Sequence, residues 1–172
     1  VYRLHVRDRL VAFQTEAGGE RTFFRNGGDN IHVGVEATVA WSPVSDADME
    51  LSLAHGRYTF RNSDLDGNHL PGVPETQIHF SAAVSPGKFL LRYSMHFVDS
   101  YYVDDVNSAK TDAYLLADLN LSHRGIQAGT AMVRPFLQLN NIYEEKYASS
   151  DTINSSRRRY YDPGSGRTVQ AG

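Results

Sequence analysis

The chain has 172 residues, 22% of them charged, and a formal net charge of -3. That length can enclose one sizeable core, and the near-neutral balance gives no bias toward nucleic acid. The absence of cysteine removes disulfides, zinc–thiolate centres and thiol catalysis together.

Apolar and polar residues alternate along most of the sequence, which is the pattern of strands with one apolar and one polar face. Val1-Tyr2-Arg3-Leu4 reads as strand rather than signal peptide, so the chain is expected to be a piece of a larger protein, with a first strand over 1–13. A second is predicted over 30–42, where Ile31, Val33, Val35, Ala37, Val39 and Trp41 oppose His32, Gly34, Glu36, Thr38, Ala40 and Ser42. Strands over 49–61 and 75–84 follow, the latter with Ile78, Phe80, Ala82 and Val84 in phase. Over 88–98, Phe89, Leu91, Tyr93, Met95 and Phe97 oppose Lys88, Leu90, Arg92, Ser94 and His96. Over 112–123, Leu115, Ala117, Leu119 and Leu121 oppose Tyr114, Leu116, Asp118, Asn120 and Ser122. Two more strands are predicted over 130–143 and from Arg167. No segment of twelve or more residues keeps a helical period, and no apolar run reaches the length of a membrane helix. The chain is expected to be all-β.

Most of these strands match the 9–11 residues that a tilted strand needs to cross a bilayer. The connections sort by length. Those at 43–48, 85–87 and 124–129 are short, whereas 14–29, 62–74, 99–111 and 144–166 are long and polar. Short turns at one end and long loops at the other is the layout of an outer-membrane barrel, turns in the periplasm and loops outside. A mean hydropathy of -0.43 suits such a barrel as well as a soluble sheet, because only every second strand residue faces lipid.

Five clauses, in order, carry a family resemblance. They are Phe23-Phe24-Arg25-Asn26-Gly27-Gly28 leading to His32-Val33-Gly34-Val35-Glu36; Pro71-Gly72-Val73-Pro74; Tyr101-Tyr102-Val103-Asp104-Asp105-Val106-Asn107; Asn140-Asn141-Ile142-Tyr143; and the Pro163-Gly164 turn before Arg167. Together the chain resembles the closing part of a TonB-dependent outer-membrane receptor, the plugged barrel that imports ferric siderophores and similar nutrients. The resemblance implies an antiparallel, up-and-down transmembrane β-barrel segment of about eight strands, the last third of a barrel of roughly 22 strands. It implies one barrel unit over 1–172, with the plug, the TonB-contacting segment and the final aromatic residue lying beyond it.

Glu36, Arg92 and Asp118 fall on the polar phase and are expected to face the lumen; Glu36 there either pairs with a plug arginine or is hydrated. Gly34 is expected at a bulge or a close backbone approach. Trp41 suits the periplasmic aromatic girdle, or a core position in a soluble fold. Arg157, Arg158, Arg159, Tyr160, Tyr101 and Tyr102 lie in the last two long loops, where cations beside rings suit an anionic, partly aromatic chelate. The alternatives for them are a solvated loop or contact with lipopolysaccharide phosphates. The seven histidines form no ligand set, so neither a metal site nor a cofactor is assigned. No nucleophile elbow, phosphate loop or HExxH occurs, so the chain is not read as an enzyme. The expectation is part of an importer of metal chelates, with lipid, lipopolysaccharide and the TonB complex as partners. The alternative is a non-transporting β module, either a small eight-stranded membrane barrel or a soluble sandwich.

Overall fold

In the computed structural model, which describes residues 1–8, 10–13, 23–26, 28–155 and 158–172, all regular structure is strand. The main sheet joins β1 (Tyr2–Val6), β4 (Asp29–Val44), β5 (Ala47–Arg61), β6 (Thr76–Val84), β7 (Phe89–Val98), β8 (Tyr114–His123), β11 (Phe136–Asn140) and β14 (Thr168–Ala171). Their spatial order follows the chain, and every pair is antiparallel. Three hairpins stand apart: β2 (Leu10–Phe13) with β3 (Phe23–Asn26), β9 (Ile126–Ala128) with β10 (Ala131–Val133), and β12 (Ala148–Asp151) with β13 (Tyr161–Pro163). β1 and β14 do not pair with each other. The sheet is therefore an open arc of barrel wall, not a closed eight-stranded barrel.

The period-2 pattern becomes two faces. Trp41 lies opposite Met49, then Ala82, Tyr93, Leu119, Leu139 and Val169 in turn, one row from β4 to β14. Val39, Leu51, Phe80, Met95 and Ala117 make the next row. On the other face run Ala40, Glu50, Ser81, Ser94 and Asp118, and beside them Asp48, Ala83, Arg92, Asn120, Gln138 and Gln170. Directly opposed residues share a face, so the predicted apolar and polar sets separate as expected. Much of the apolar face is bare, with Val39 62% and Trp41 61% exposed, although Ala117 is shielded by its neighbours. A soluble sandwich buries that face; a barrel turns it to lipid.

Two predicted strands are interrupted. The strand expected over 1–13 breaks at Asp8, which has φ 56° and whose amide donates to Asp29 Oδ1 at 3.2 Å. The strand expected over 130–143 breaks at Arg134-Pro135, where proline has no N–H for a ladder. It ends at Asn141, whose left-handed backbone (φ 50°) cannot continue a strand. The expected short turn at 124–129 instead opens the β9–β10 hairpin.

Gly34 sits without a bulge between Tyr2 and Gly56. The Tyr2 and Tyr58 rings lie over this glycine pair, and their hydroxyls hydrogen-bond at 2.7 Å. A Cβ at Gly34 would stand 2.7 Å from Tyr2 Oη and 2.8 Å from the His55 carbonyl. The close approach expected at Gly34 is thus made by a backbone carbonyl and a side chain together.

Candidate functional site

The best-buried large side chains are not in the middle of the sheet but at its long-loop end. Val103 has no exposed surface and Phe60 only 1%, with Leu70 buried nearby. Around them the connections 62–75, 99–113 and 141–167 interlock. The 99–113 loop folds back as a tight hairpin, with Tyr102 bridged to Lys110 and Val103 N–H donating to the Ala109 carbonyl at 3.0 Å. Buried Asp104 organises its tip by accepting from the Ser108 amide at 2.7 Å, the Ala109 amide at 3.3 Å and the Ser108 hydroxyl. Burial opposes the charge on Asp104, but these donors outweigh it and hold the carboxyl below its ordinary value.

Side-chain amides tie this loop to its neighbours. Asn107 accepts from the His69 amide at 2.8 Å and donates to the His69 carbonyl at 2.9 Å. Asn154 donates to Asp105 Oδ2 and accepts from the Asp105 amide, both at 2.9 Å. Tyr101 donates to Asp151, and Tyr161 donates to the Lys110 carbonyl at 2.9 Å. Burial first, then the hydrogen bond to Asp151 for Tyr101 and the charge of Asp151 for Tyr161, raises both phenols, so they stay neutral donors.

A cavity of about 390 Å³ opens between the last two loops, lined by Lys110, Thr111, Asp112, Lys146, Tyr147, Ala148, Tyr161 and Pro163. Tyr147 packs on Tyr114 with ring centroids 5.2 Å apart. Tyr114 belongs to the polar phase of β8, so the cavity lies on that side of the wall. Two ammonium groups and two phenol rings against one carboxylate give it a cationic, aromatic lining. Pro163 belongs to one of the clauses that carry the resemblance, but the two lysines did not stand out in the sequence. Lys110 and Lys146 belong to no local motif; only strand pairing brings their loops together.

The sequence-selected residues distribute as follows. Tyr101 is half-buried with its hydroxyl engaged by Asp151. Tyr102 lies 5.7 Å from the His69 ring, and the Lys110 ammonium sits 5.4 Å from its centroid. Arg158 and Arg159 are exposed, and half-buried Tyr160 packs 5.9 Å from Tyr161 on the cavity wall. Arg157 lies outside the described residues. Glu36 and Arg92 are exposed on the polar face, and neither has an ion pair among the described residues. Asp118 shares that face but is already used, since its Oδ1 accepts the Asn141 amide at 2.8 Å. Among the described residues no three His, Cys, Asp or Glu side chains group to hold a metal.

An up-and-down sheet with a bare apolar face, a polar face and interlocked loops at one end is a segment of β-barrel wall. The chain belongs to the TonB-dependent receptor-like β-barrel family, whose model matches residues 1–142. Its fold is similar to that of the siderophore receptor PiuA from Acinetobacter baumannii, at a TM-score of 0.78 and 15% identity over 98% of this chain and 24% of that one. The ferric yersiniabactin uptake receptor FyuA from Yersinia pestis gives 0.76 and 22% identity, over 97% and 25% respectively. The copper transporter OprC gives 0.70 and 18%, over 98% and 28%. The chain thus spans about a quarter of the length of these structures.

Proposed function

We propose that this chain is wall and loop trap of an outer-membrane receptor that captures an anionic metal chelate, ferric siderophore being the leading substrate, and imports it with energy delivered through TonB. The cavity between the last two loops carries this reading. Its lysines attract a negatively charged chelate, and its phenol rings offer flat surface to an aromatic or conjugated ligand. Arg158, Arg159 and Tyr160, which run into the cavity-lining Tyr161, are its lip in this reading, and Arg157 is the next cation in sequence; Tyr101 and Tyr102 brace the loop that carries Lys110. Glu36 and Arg92 face a plug across the lumen, where either can pair with an opposite charge. Solvent-facing arginines at the lip also suit lipopolysaccharide phosphates.

Membership of a receptor family and the names of the similar structures support capture and transport over catalysis. Both ferric siderophore and copper proteins stand among those names, so the metal is the open variable. The test is growth of a strain lacking the full-length gene on single ferric chelates as iron source, and separately under copper limitation, with and without functional TonB. A TonB-dependent defect confined to ferric chelates is expected. A defect confined to copper replaces the substrate, and no defect under any metal limitation overturns the reading.

A further inference from the structure

The β9–β10 hairpin is an excursion that the barrel wall does not need. Its strands pair Ile126 with Val133, Gln127 with Met132 and Ala128 with Ala131, and they pair with nothing else. All six residues are exposed. Opposed residues share a face, so Ile126, Val133, Ala128 and Ala131 make one wholly apolar face on a two-stranded ribbon. Such a ribbon is marginal in water and hazardous if left bare.

Its base is continuous with the bare apolar face of the wall. The His123 amide donates to the Pro135 carbonyl at 2.9 Å, and the Arg124 amide to the Lys88 carbonyl at 2.8 Å. His123 also packs edge-on to exposed Phe89 at 5.0 Å. Around this base stand three exposed cations, Lys88, Arg124 and Arg134. No Asp or Glu occurs in 76–98 or 119–143, and none of the three cations has an ion pair among the described residues. The β4–β5 turn carries Asp46 and Asp48; the Asp48 carboxylate accepts from the Ser42 hydroxyl at 2.7 Å, and neither aspartate has an ion pair among the described residues.

We propose that this hairpin is a membrane foot. Its Ile126/Val133 face enters the headgroup–acyl boundary of the inner leaflet, and Lys88, Arg124 and Arg134 hold the phosphates of anionic phospholipid there. An apolar surface flanked by cations is the chemistry of interfacial membrane segments. The pocket of about 210 Å³ at its base, lined by Phe89, Leu121, Pro135, Phe136 and Leu137 among others, is apolar and continuous with the lipid-facing side of the wall, which suits acyl chain beside the cations. The inference rests on the outer-membrane reading, so its test carries a control for that reading.

The test places nitroxides at Ile126→Cys, Val133→Cys and, as control, Leu121→Cys in the full-length protein. The labelled proteins are held in nanodiscs of phosphatidylethanolamine with or without phosphatidylglycerol. Accessibility to oxygen and to a water-soluble nickel chelate is compared. Labels at 126 and 133 are expected to favour oxygen, more so with phosphatidylglycerol present. Lys88→Gln/Arg124→Gln/Arg134→Gln should abolish that dependence on lipid charge. It should also lower the phosphatidylglycerol retained in native mass spectrometry more than tenfold. Nickel access at 126 and 133 in both lipids, with Leu121 still in lipid, overturns the foot. So does shielding from both probes, which assigns the face to a protein partner. A water-exposed label at Leu121 instead overturns the barrel placement itself.

Discussion

The Asp118 carboxylate accepts the backbone N–H of Asn141 at 2.8 Å, across the boundary between β8 and the residue that ends β11. Asn141 is buried, with φ 50°, and its side chain is fully used. Its Oδ1 accepts from the Glu145 amide at 2.8 Å, and its Nδ2 donates to the carbonyls of Glu145 at 2.9 Å and Ser165 at 3.1 Å. One side chain therefore closes both ends of the last long loop. Asn140-Asn141-Ile142-Tyr143 is in this light a chain-terminating structure, since asparagine tolerates the left-handed region while offering both a donor and an acceptor.

Asn141→Ala loses three hydrogen bonds and keeps an unfavourable backbone angle, a cost of about 3 kcal/mol. The loop should open before the barrel does. Trypsin should then cut at Lys146 and Arg158 in the folded full-length protein, while the wild type resists. Equal resistance in both would show that Asn141 does not hold the loop.

The Gly34–Gly56 pair under the Tyr2 and Tyr58 rings gives a second expectation. Gly34→Ala brings a methyl against both the ring and the His55 carbonyl, and overpacking of this kind costs about 1–3 kcal/mol. Tyr2→Ala combined with Gly34→Ala should recover part of that loss, because the ring is one of the two obstacles. Thermal unfolding of the full-length protein in detergent measures both variants. Additive losses in the double variant would exclude the ring contact as the cause.

Asp104 makes the 99–113 loop sensitive to acid. Its folded pKa is lowered, so its contribution is fully present above the unfolded value of about 3.9. That contribution is lost as pH falls through the depressed folded value. Exchange of the Ser108 and Ala109 amides should accelerate below about pH 4, with the surrounding strands unchanged. Asp104→Asn should show fast exchange there at neutral pH and no acid step. An acid step surviving in that variant would assign it to another group.

Much of the wall was legible because lipid on one side and water on the other impose a strict period of two on every strand. Val33, Val39, Phe89 and Leu121 could be assigned to the apolar face from the letters alone. Strand ends were less legible where one residue decides them, as at Asp8 and Pro135. The β9–β10 hairpin escaped because three-residue strands are too short to show a period. The clause Tyr101 to Asn107 was recognisable, and Tyr101 and Tyr102 were selected from it for ligand contact; its structural work was not visible, since Asp104 shapes the tip of its own loop while Tyr101, Asp105 and Asn107 bond to neighbouring loops. The cavity itself was invisible, since Lys110 and Lys146 meet only after β8 and β11 have paired.

That cavity separates two contributions to capture. Lys110→Gln/Lys146→Gln removes both ammonium groups and leaves the phenol rings in place. Association of the full-length protein with an anionic ferric chelate should slow by about tenfold at low salt, and the difference should shrink as ionic strength rises, because exposed charges act within about 8–10 Å. Arg158→Gln/Arg159→Gln should act the same way but more weakly, since both side chains are exposed and neither lines the cavity. Tyr147→Leu removes a ring that packs on Tyr114 at 5.2 Å and lines the cavity. It should leave association nearly unchanged and speed release by about fivefold, stacking being short-ranged and worth about 1 kcal/mol. Tyr147→Phe, which keeps the ring, should restore the wild-type release rate. Stopped-flow measurement at two salt concentrations distinguishes these outcomes. Association that is equally fast in all variants at low salt would remove this cavity from the capture path and leave its lysines as ordinary loop charges.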